Sequence, residues 1–220
     1  MLTAVARAFR TPDLRRKLLF TLLIMAIFRL GSSVPTPGVS YTLVAQCLSG
    51  ASAQNGFIGL ANLFSGGALL QLSIFALGIM PYITASIIIQ LLTVVIPRFE
   101  TLKKEGQAGQ TKMTQYTRYL TIGLAVLQSS TLITFARAPQ QIFGPQCEKI
   151  LADDSMPTIL IMVLTLTAGT GLIMWLAELI TDKGIGNGMS LLIFTSIAAG
   201  FPSSLWAIQQ AEGRWDVFIG

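Results

Sequence analysis

Residues 72–96 read LSIFALGIMPYITASIIIQLLTVVI, an apolar run without a single Lys, Arg, Asp or Glu. An α-helix of roughly 20 apolar residues is long enough to cross a bilayer. Comparable runs begin near Leu18, Tyr119, Thr158 and Met189. The sequence therefore predicts an all-α, polytopic membrane helix bundle with five transmembrane helices, at about 18–34, 72–96, 118–135, 158–180 and 187–208.

The amino-acid composition agrees with a lipid environment. The 220 residues are 52% hydrophobic and 11% charged, whereas soluble domains carry roughly 25% charged residues. The net charge of +5 does not indicate nucleic-acid binding, because the basic residues flank the apolar runs instead of forming one patch with interleaved aromatic residues. The sequence contains no histidine, so zinc fingers, histidine-based acid–base catalysis and most redox-metal sites fall out of consideration. We expect no metal and no cofactor.

The distribution of lysine and arginine predicts the orientation of the chain, because positive residues in short loops are retained on the cytoplasmic side. Eleven of these residues lie in residues 1–17, in the loop 97–118 and at Lys183, and three lie on the opposite side. The N-terminus is therefore expected in the cytoplasm. The expected regions are a cytoplasmic segment 1–17, a transmembrane region 18–208 with cytoplasmic loops at 97–118 and 181–187, and an external hinge at 209–220.

Two further expectations concern the position of the Arg29 side chain and the pairing of the two cysteines. Arg29 lies near the far end of the first span, from which its long side chain is expected to snorkel to the headgroups. Cys47 and Cys147 fall in segments that we place outside the membrane. A disulfide is chemically possible there, but we expect two unpaired cysteines that behave as small apolar residues.

The segment between the first two spans is unusual, because no charged residue occurs from Leu30 to Pro97. Within it, residues 57–70 (FIGLANLFSGGALL) are too short and too glycine-rich to span a bilayer, yet too apolar to be solvated. We expect this stretch to fold back into the protein as a short re-entrant helix. The alternative is an amphipathic helix on the outer leaflet, although such helices usually carry Lys or Arg on a polar face.

Groups that would support catalysis are few. Glu178 and Asp182 lie four residues apart at the cytoplasmic end of the fourth span, and such a pair on one helix face could serve acid–base chemistry. The absence of a second ionisable cluster and the adjacent Lys183 favour a solvated helix end instead. We therefore do not expect an enzyme.

Glycines mark two local features. In the string TDKGIGNG (181–188) no strand precedes the glycines and the nucleotide-binding spacing is absent. We expect a tight turn there, with Gly184 as a C-terminal cap and Asn187 as the next N-cap. In the second span, Gly78 and Pro81 predict a kink, because proline removes a helical hydrogen bond.

Aliphatic residues repeat every four positions in two of the spans. They are Ile79, Ile83 and Ile87 in the second span and Met189 and Ile193 in the fifth, and this spacing places each set on one helix face. Ordinary helix packing or lipid contact would explain this pattern. The alternative is a hydrophobic constriction, which blocks water and ions by dewetting.

An odd number of spans suggests a repeat. Many channels and transporters pair two repeats of inverted topology, and an odd span count inverts the second copy. We therefore expect one half of an inverted-repeat pore, with the second half of the same channel outside this sequence.

Short strings along the whole sequence resemble the SecY family, the channel subunit of the bacterial Sec translocon. They occur in the order found in the family and correspond to the first five helices of its ten. The strings are FRLG (28–31), VPTPG (34–38), NLFSGGA (62–68), SIFALGIMPYI (73–83), KKEG (103–106), QYTRY (115–119) and TDKGIGNG (181–188).

The resemblance implies roles for particular residues. Residues 57–70 would be the plug that closes the outer funnel. The second span, with Gln90 as a buried polar residue, would be one wall of the lateral gate together with the third span. Met189 stands at a position where the family usually has isoleucine. The implied sets are a pore ring of Ile79, Ile83, Met189 and Ile193; plug residues Phe57, Leu60, Asn62, Leu63, Phe64, Ser65, Gly66 and Gly67; gate residues Ile87 and Gln90; and motor- or ribosome-docking residues Arg98, Lys103, Lys104, Lys112, Arg118 and Lys183.

The function that the resemblance implies is a protein-conducting channel in the bacterial cytoplasmic (inner) membrane. It would pass unfolded secretory polypeptides across the lipid bilayer and release membrane-protein helices into it. Its partners would be the SecE and SecG subunits, the SecA ATPase or a translating ribosome, and a polypeptide with a signal sequence. The alternatives are an inverted-repeat secondary transporter for a small solute, which needs a polar binding element at the midplane, and a membrane-embedded hydrolase.

Overall fold

The computed structural model describes residues 12–40, 42–44, 65–139, 147, 150–151 and 154–212, with side chains described as far as residue 200. Regular structure in these residues is helical, accompanied by isolated β-bridges, and the predicted all-α class is confirmed. The helices whose bounds fall within the described residues are α1 (Pro12–Ser32), α2 (Met80–Val95), α3 (Pro97–Lys104), α4 (Gln107–Arg137), α5 (Met156–Lys183) and α6 (Gly188–Glu212).

Some helices of the bundle have the length and the composition of membrane-spanning segments. Helices α4 and α5 are each long and apolar enough to cross a bilayer, and α2 with α3 makes a third span if that bent pair counts as one. Large apolar side chains stand exposed on these helices, including Val94 on α2, Leu127 on α4 and Leu164 on α5. Such exposure suits a protein surrounded by lipid. The chain is a membrane protein, and the total of five spans stays a prediction.

The second predicted span is wrong at its start. Residues 72–79 form turns, and α2 begins at Met80 with Pro81 in its first turn. Gly78 has a φ of +55°, a conformation that favours glycine. Proline is well tolerated where the first N–H groups of a helix have no intrahelical partner. Gly78 and Pro81 therefore begin a helix, and the kink that they predicted inside a longer one is absent.

Other boundaries also differ from the sequence-based expectation. Helix α1 begins at Pro12, inside the segment expected to precede the first span, and α6 continues to Glu212, inside the expected hinge. The predicted loop 97–118 instead contains α3 and the first turns of α4. Polar residues dominate these extensions, so hydropathy alone gave no signal for helix there.

Helix α5 lies at the centre of the described bundle. It packs against α4, α6 and α1, while α2 packs against α4. Two apolar cores follow one another along α5. The first includes Met162 and Leu166 near its beginning, and the second includes Ile173 and Ile180 near its end.

Backbone hydrogen bonds connect the end of α1 with the residues before α2. An antiparallel bridge joins Pro35 to Ser73. The N–H of Thr36 donates to the carbonyl of Leu72 over 3.0 Å, and the N–H of Ile74 donates to the carbonyl of Val34 over 2.9 Å. These bonds satisfy buried backbone groups outside a helix, and they hold residues 65–79 inside the bundle.

The expectation that Cys147 is unpaired is wrong, because this cysteine is disulfide-bonded in the structure. Cys47, the other cysteine of the sequence, lies outside the described residues. Val39 forms an isolated bridge with Leu151, and Val44 packs in the apolar core that contains Cys147. This long-range pairing of two loops has no local sequence signal.

Candidate functional site

Four residues expected to form a ring occur in one apolar cluster. Ile79 belongs to the core along the end of α5, and Ile83, Met189 and Ile193 pack against that core while remaining partly exposed. Ile79 precedes α2, but its carbonyl accepts the N–H of Ile83 over 3.1 Å, so the four-residue spacing is kept. The structure therefore brings the ends of α2 and α6 together through aliphatic side chains.

A cavity of about 580 Å³ lies beside this cluster. Ile83 and Met189 form part of its wall, together with Ile87 and Gln90, the two residues predicted for the gate. Gln90 was expected to be a buried polar group; it is exposed, and its amide donates to the hydroxyl of Ser86 over 3.3 Å. Two of the four ring residues and both gate residues therefore line one cavity.

An ion pair crosses the wall of the cavity from α4 to α5. The Nε and Nη2 atoms of Arg118 donate to the two carboxylate oxygens of Glu178 over 2.8 and 2.7 Å. This two-bond geometry is the strong form of an arginine–carboxylate pair. The side chain of Glu178 is 20% exposed, so the expectation that it forms a solvated helix end is wrong. Asp182, one turn later, is exposed and also lines the cavity.

The predicted turn between the fourth and fifth spans occurs at residues 184–187. Gly184 is the C-cap of α5, and its N–H donates to the carbonyl of Ile180 over 2.7 Å. The side-chain oxygen of Asn187 accepts the N–H of Met189 over 3.0 Å, as expected of an N-cap. A Cβ atom on Gly188 would lie 1.8 Å from the carbonyl oxygen of Ala177. The start of α6 therefore contacts the backbone of α5 directly.

The described end of the re-entrant segment lies against two helices. Residues 65–70 form turns instead of the predicted helix, and Ser65 and Ala68 are buried. Arg29 of α1 donates a hydrogen bond to the carbonyl of Gly66 over 2.9 Å, so the expectation that its side chain reaches the headgroups is wrong. The remaining predicted plug residues, Phe57, Leu60, Asn62, Leu63 and Phe64, lie outside the described residues.

Comparisons with known proteins agree with this arrangement. The SecY family model matches residues 73–219. This chain belongs to the SecY family. A protein translocase subunit SecY of Streptomyces scabiei is 63% identical over 223 residues, which cover 99% of this chain and 51% of that protein. The SecY protein of Streptomyces coelicolor is 62% identical, with 100% of this chain and 50% of that protein covered. The one of Mycobacterium bovis is 55% identical, with 97% and 48% covered.

The chain spans about half the length of the curated SecY relatives that it matches. These relatives carry the name of a translocase subunit, and the alternative of a small-solute secondary transporter finds no support among them. The predicted resemblance to the SecY family is therefore confirmed.

Basic residues expected to bind a SecY partner are exposed on and around α3. Lys104 pairs with Glu100 over 2.6 Å, and Lys112 lies 4.0 Å from Glu105. All six basic residues of this expected set are exposed: Arg98, Lys103, Lys104, Lys112, Arg118 and Lys183. Arg118 differs from the other five, because its guanidinium is bound by Glu178 beside the cavity.

Sequence reasoning missed two polar contacts of this SecY-family chain. The first is the ion pair between Arg118 and Glu178, which are 60 positions apart. The second is the bond from Arg29 to Gly66, which are 37 positions apart. A weak signal existed for the second contact, since an arginine within an apolar span usually faces the protein interior.

Replacing Glu178 with glutamine is expected to lower the thermal stability of the full-length protein, because Arg118 would lose its carboxylate partner. The expected loss is about 1 kcal/mol, since the Arg118 side chain is 46% exposed and solvent screens the pair. Asp182→Asn is the matched control, because Asp182 lies on the same helix and forms no ion pair among the described residues. Unfolding midpoints in detergent that fall equally for both variants would contradict a specific role for the pair.

Proposed function

We propose that this chain is the N-terminal half of a protein-conducting channel that passes unfolded polypeptides across a membrane and releases apolar helices into it. The observation that carries the proposal is the shared cavity of ring and gate residues: Ile83, Met189, Ile87 and Gln90 line one space of about 580 Å³. Polar side chains, among them Gln90, Arg118 and Glu178, line other parts of this cavity. The ring side chains Ile83 and Met189 are apolar, and this suits a substrate of any sequence, because they offer no side-chain hydrogen bond that would favour one residue over another.

In this proposal Ile79, Ile83, Met189 and Ile193 provide this half of the pore ring. Ile79 is buried in the core beside the other three. The partial exposure of Ile83, Met189 and Ile193 supports the assignment, since a ring side chain must be anchored at its base and free at its tip. Thioether and aliphatic side chains adapt to different contacts at modest energetic cost. The ring would therefore close around a moving chain and close again when the chain has left.

The re-entrant segment would seal the outer side of that ring as a plug. Ser196, whose backbone lies beside Gly66, is three residues from Ile193 on α6. Three residues of helix correspond to about 4.5 Å along the axis. The closeness of residues 65–67 to the level of the ring supports a sealing role for the plug.

The lateral gate would lie along α2. One face of this helix, with Ala85, Ile89 and Thr93, is buried against the bundle, while Ile87 and Leu91 are exposed. Helix α2 packs on α4, and the cavity separates it from the end of α5. An apolar segment of a substrate that enters the cavity would therefore reach lipid by passing beside Ile87 and Gln90.

The orientation and the partners belong to the same proposal. With the N-terminus in the cytoplasm of a bacterial cell, α3 and the turn at Lys183 face the cytoplasm and would bind the SecA ATPase or a translating ribosome. The SecE and SecG subunits and the second half of the channel would complete the assembly. The energy for transport would come from the motor or from translation, and the chain would carry out no chemistry of its own.

A crosslinking experiment tests the proposal. The full-length protein is reconstituted with its partner subunits, and a secretory polypeptide is stalled in transit. A cysteine that replaces Ile83 is expected to crosslink to that polypeptide, because Ile83 lines the cavity. A cysteine that replaces Leu164 on α5, where the side chain is 67% exposed, is expected to give no adduct. Absence of adducts at Ile79, Ile83 and Ile193 alike would overturn the proposal.

A further inference from the structure

Arg29 is an unusual cation in this structure. It lies in the last turn of α1, at the border of a stretch of sequence that contains no carboxylate between Leu30 and Pro97. Within the described residues Arg29 takes part in no ion pair. A guanidinium inside a membrane domain requires hydrogen-bond acceptors to offset its desolvation. The acceptor that the structure provides is a backbone carbonyl.

That carbonyl belongs to Gly66, at the described end of the re-entrant segment. The Nη1 atom of Arg29 donates to it over 2.9 Å. The turn that presents this carbonyl is held by Ser65, whose hydroxyl accepts the N–H of Leu69 over 3.0 Å. The contact therefore joins α1 to a short turn with a defined shape, through one charge-assisted hydrogen bond.

Gly66 fits closely between α1 and α6. A Cβ atom at this position would lie 2.9 Å from Nη1 of Arg29 and 3.3 Å from Cα of Ser196. Gly67 has similar backbone geometry, with φ of +89° against +66° for Gly66, but a Cβ atom there would meet nothing within 4 Å. The two neighbouring glycines thus differ in the contact that a side chain would make, and both require a positive φ.

We propose that Arg29 is a latch that holds residues 65–70, the described end of the re-entrant segment, in their observed position by binding the backbone carbonyl of Gly66 against α6. The inference rests on the proposed sealing function and names the residue that regulates it. A single hydrogen bond to a charged donor shifts an equilibrium by about 10- to 100-fold. This strength keeps the segment in place at rest and lets a substrate displace it. Because the acceptor is a carbonyl, the latch depends on backbone position and not on the identity of a plug side chain.

The test follows the position of the segment directly. Ala68 is 1% exposed, and a cysteine that replaces it in the full-length channel, reconstituted with its partner subunits, reports whether the segment has left its site. The rate at which this cysteine reacts with a membrane-impermeant maleimide is measured, and the labelling rate of the same protein without this cysteine is subtracted. In the Ala68→Cys background, Arg29→Gln and Gly66→Ala are each expected to accelerate labelling by about 10-fold or more. Gly67→Ala is the matched control, because it introduces similar backbone strain without the contact.

Each outcome bears on the proposal. Faster labelling in Arg29→Gln and Gly66→Ala, with Gly67→Ala near the parent rate, supports the latch. An unchanged rate in Arg29→Gln overturns it, and equal acceleration by the two glycine variants shows that backbone strain is the cause and overturns it as well. If Arg29→Gln does not assemble, the comparison of Gly66→Ala with Gly67→Ala decides. Faster labelling without any rise in resting ion conductance would preserve the latch and contradict the sealing function.

Discussion

Replacing Gly169 with alanine is expected to lower the midpoint of thermal unfolding of the full-length protein more than any other substitution considered. Gly169 lies in the middle of α5, and a Cβ atom there would be 2.2 Å from the carbonyl oxygen of Ile74 and 3.0 Å from its Cγ2. Backbone atoms cannot rotate away as a side chain can, so α5 or residues 72–74 must shift. Overpacking of this kind costs about 1–3 kcal/mol or more, and we expect the upper end.

Gly171 provides the matched control for this prediction. It lies two residues further along α5, and a Cβ atom there would meet nothing within 4 Å. Because alanine favours a helix over glycine by about 1 kcal/mol, Gly171→Ala is expected to leave the midpoint unchanged or raise it slightly. Midpoints would be measured by fluorescence in one detergent for the parent and both variants. A Gly169→Ala protein as stable as the parent would show that α5 does not pack against residues 72–74 as described.

Deleting residues 57–70 is expected to make the resting channel conduct ions. In the proposed function this segment covers the ring, and its described end packs against Arg29 and Ser196. The paired backbone at residues 34–36 and 72–74 lies outside the deletion, so the connection from α1 to α2 keeps its anchor. An apolar ring alone blocks ions only while it stays narrow enough to exclude water. Without the cover, thermal widening of the ring is expected to give a measurable steady current.

The measurement is the conductance of the reconstituted full-length channel in a planar bilayer, with no substrate present. The control is the same channel carrying Gly67→Ala, which keeps residues 57–70 in the chain and, although its backbone is strained at positive φ, makes no new contact. Translocation of a secretory polypeptide by the deletion variant shows that the channel has assembled. A deletion variant that translocates and yet conducts no more than the parent would remove the sealing role of the segment.

The helical class and the tight turn before α6 could be predicted from the sequence because their signals are local. The apolar runs predicted the helices, and Gly184 and Asn187 predicted the helix caps, which the structure confirms. The spacing of Ile79 with Ile83 also placed both residues in one cluster. Periodicity and capping act over a few residues, so one sequence is enough to recognise them.

The features that the sequence did not reveal depend on partners far along the chain. Nothing near Arg118 identifies Glu178 as its acceptor, and nothing near Arg29 identifies Gly66. The start of α2 was misplaced because residues 72–79 are as apolar as the helix that follows, and their turns are stabilised by backbone pairing with residues 34–36. The bond at Cys147 likewise depends on contact between two separate loops. Tertiary contacts of this kind produce no periodic pattern in the amino-acid sequence.

The axes of α2 and α3 meet at about 100° across the short break at Ile96 and Pro97. If α2 runs along the bilayer normal, α3 lies almost parallel to the membrane plane. Arg98 and Lys103 then lie at similar distances from the lipid headgroups, and neither lies at the end of a loop that extends far from the membrane. In this orientation the exposed side chains of Arg98, Lys103 and Lys104 would form a flat, predominantly basic surface alongside the membrane.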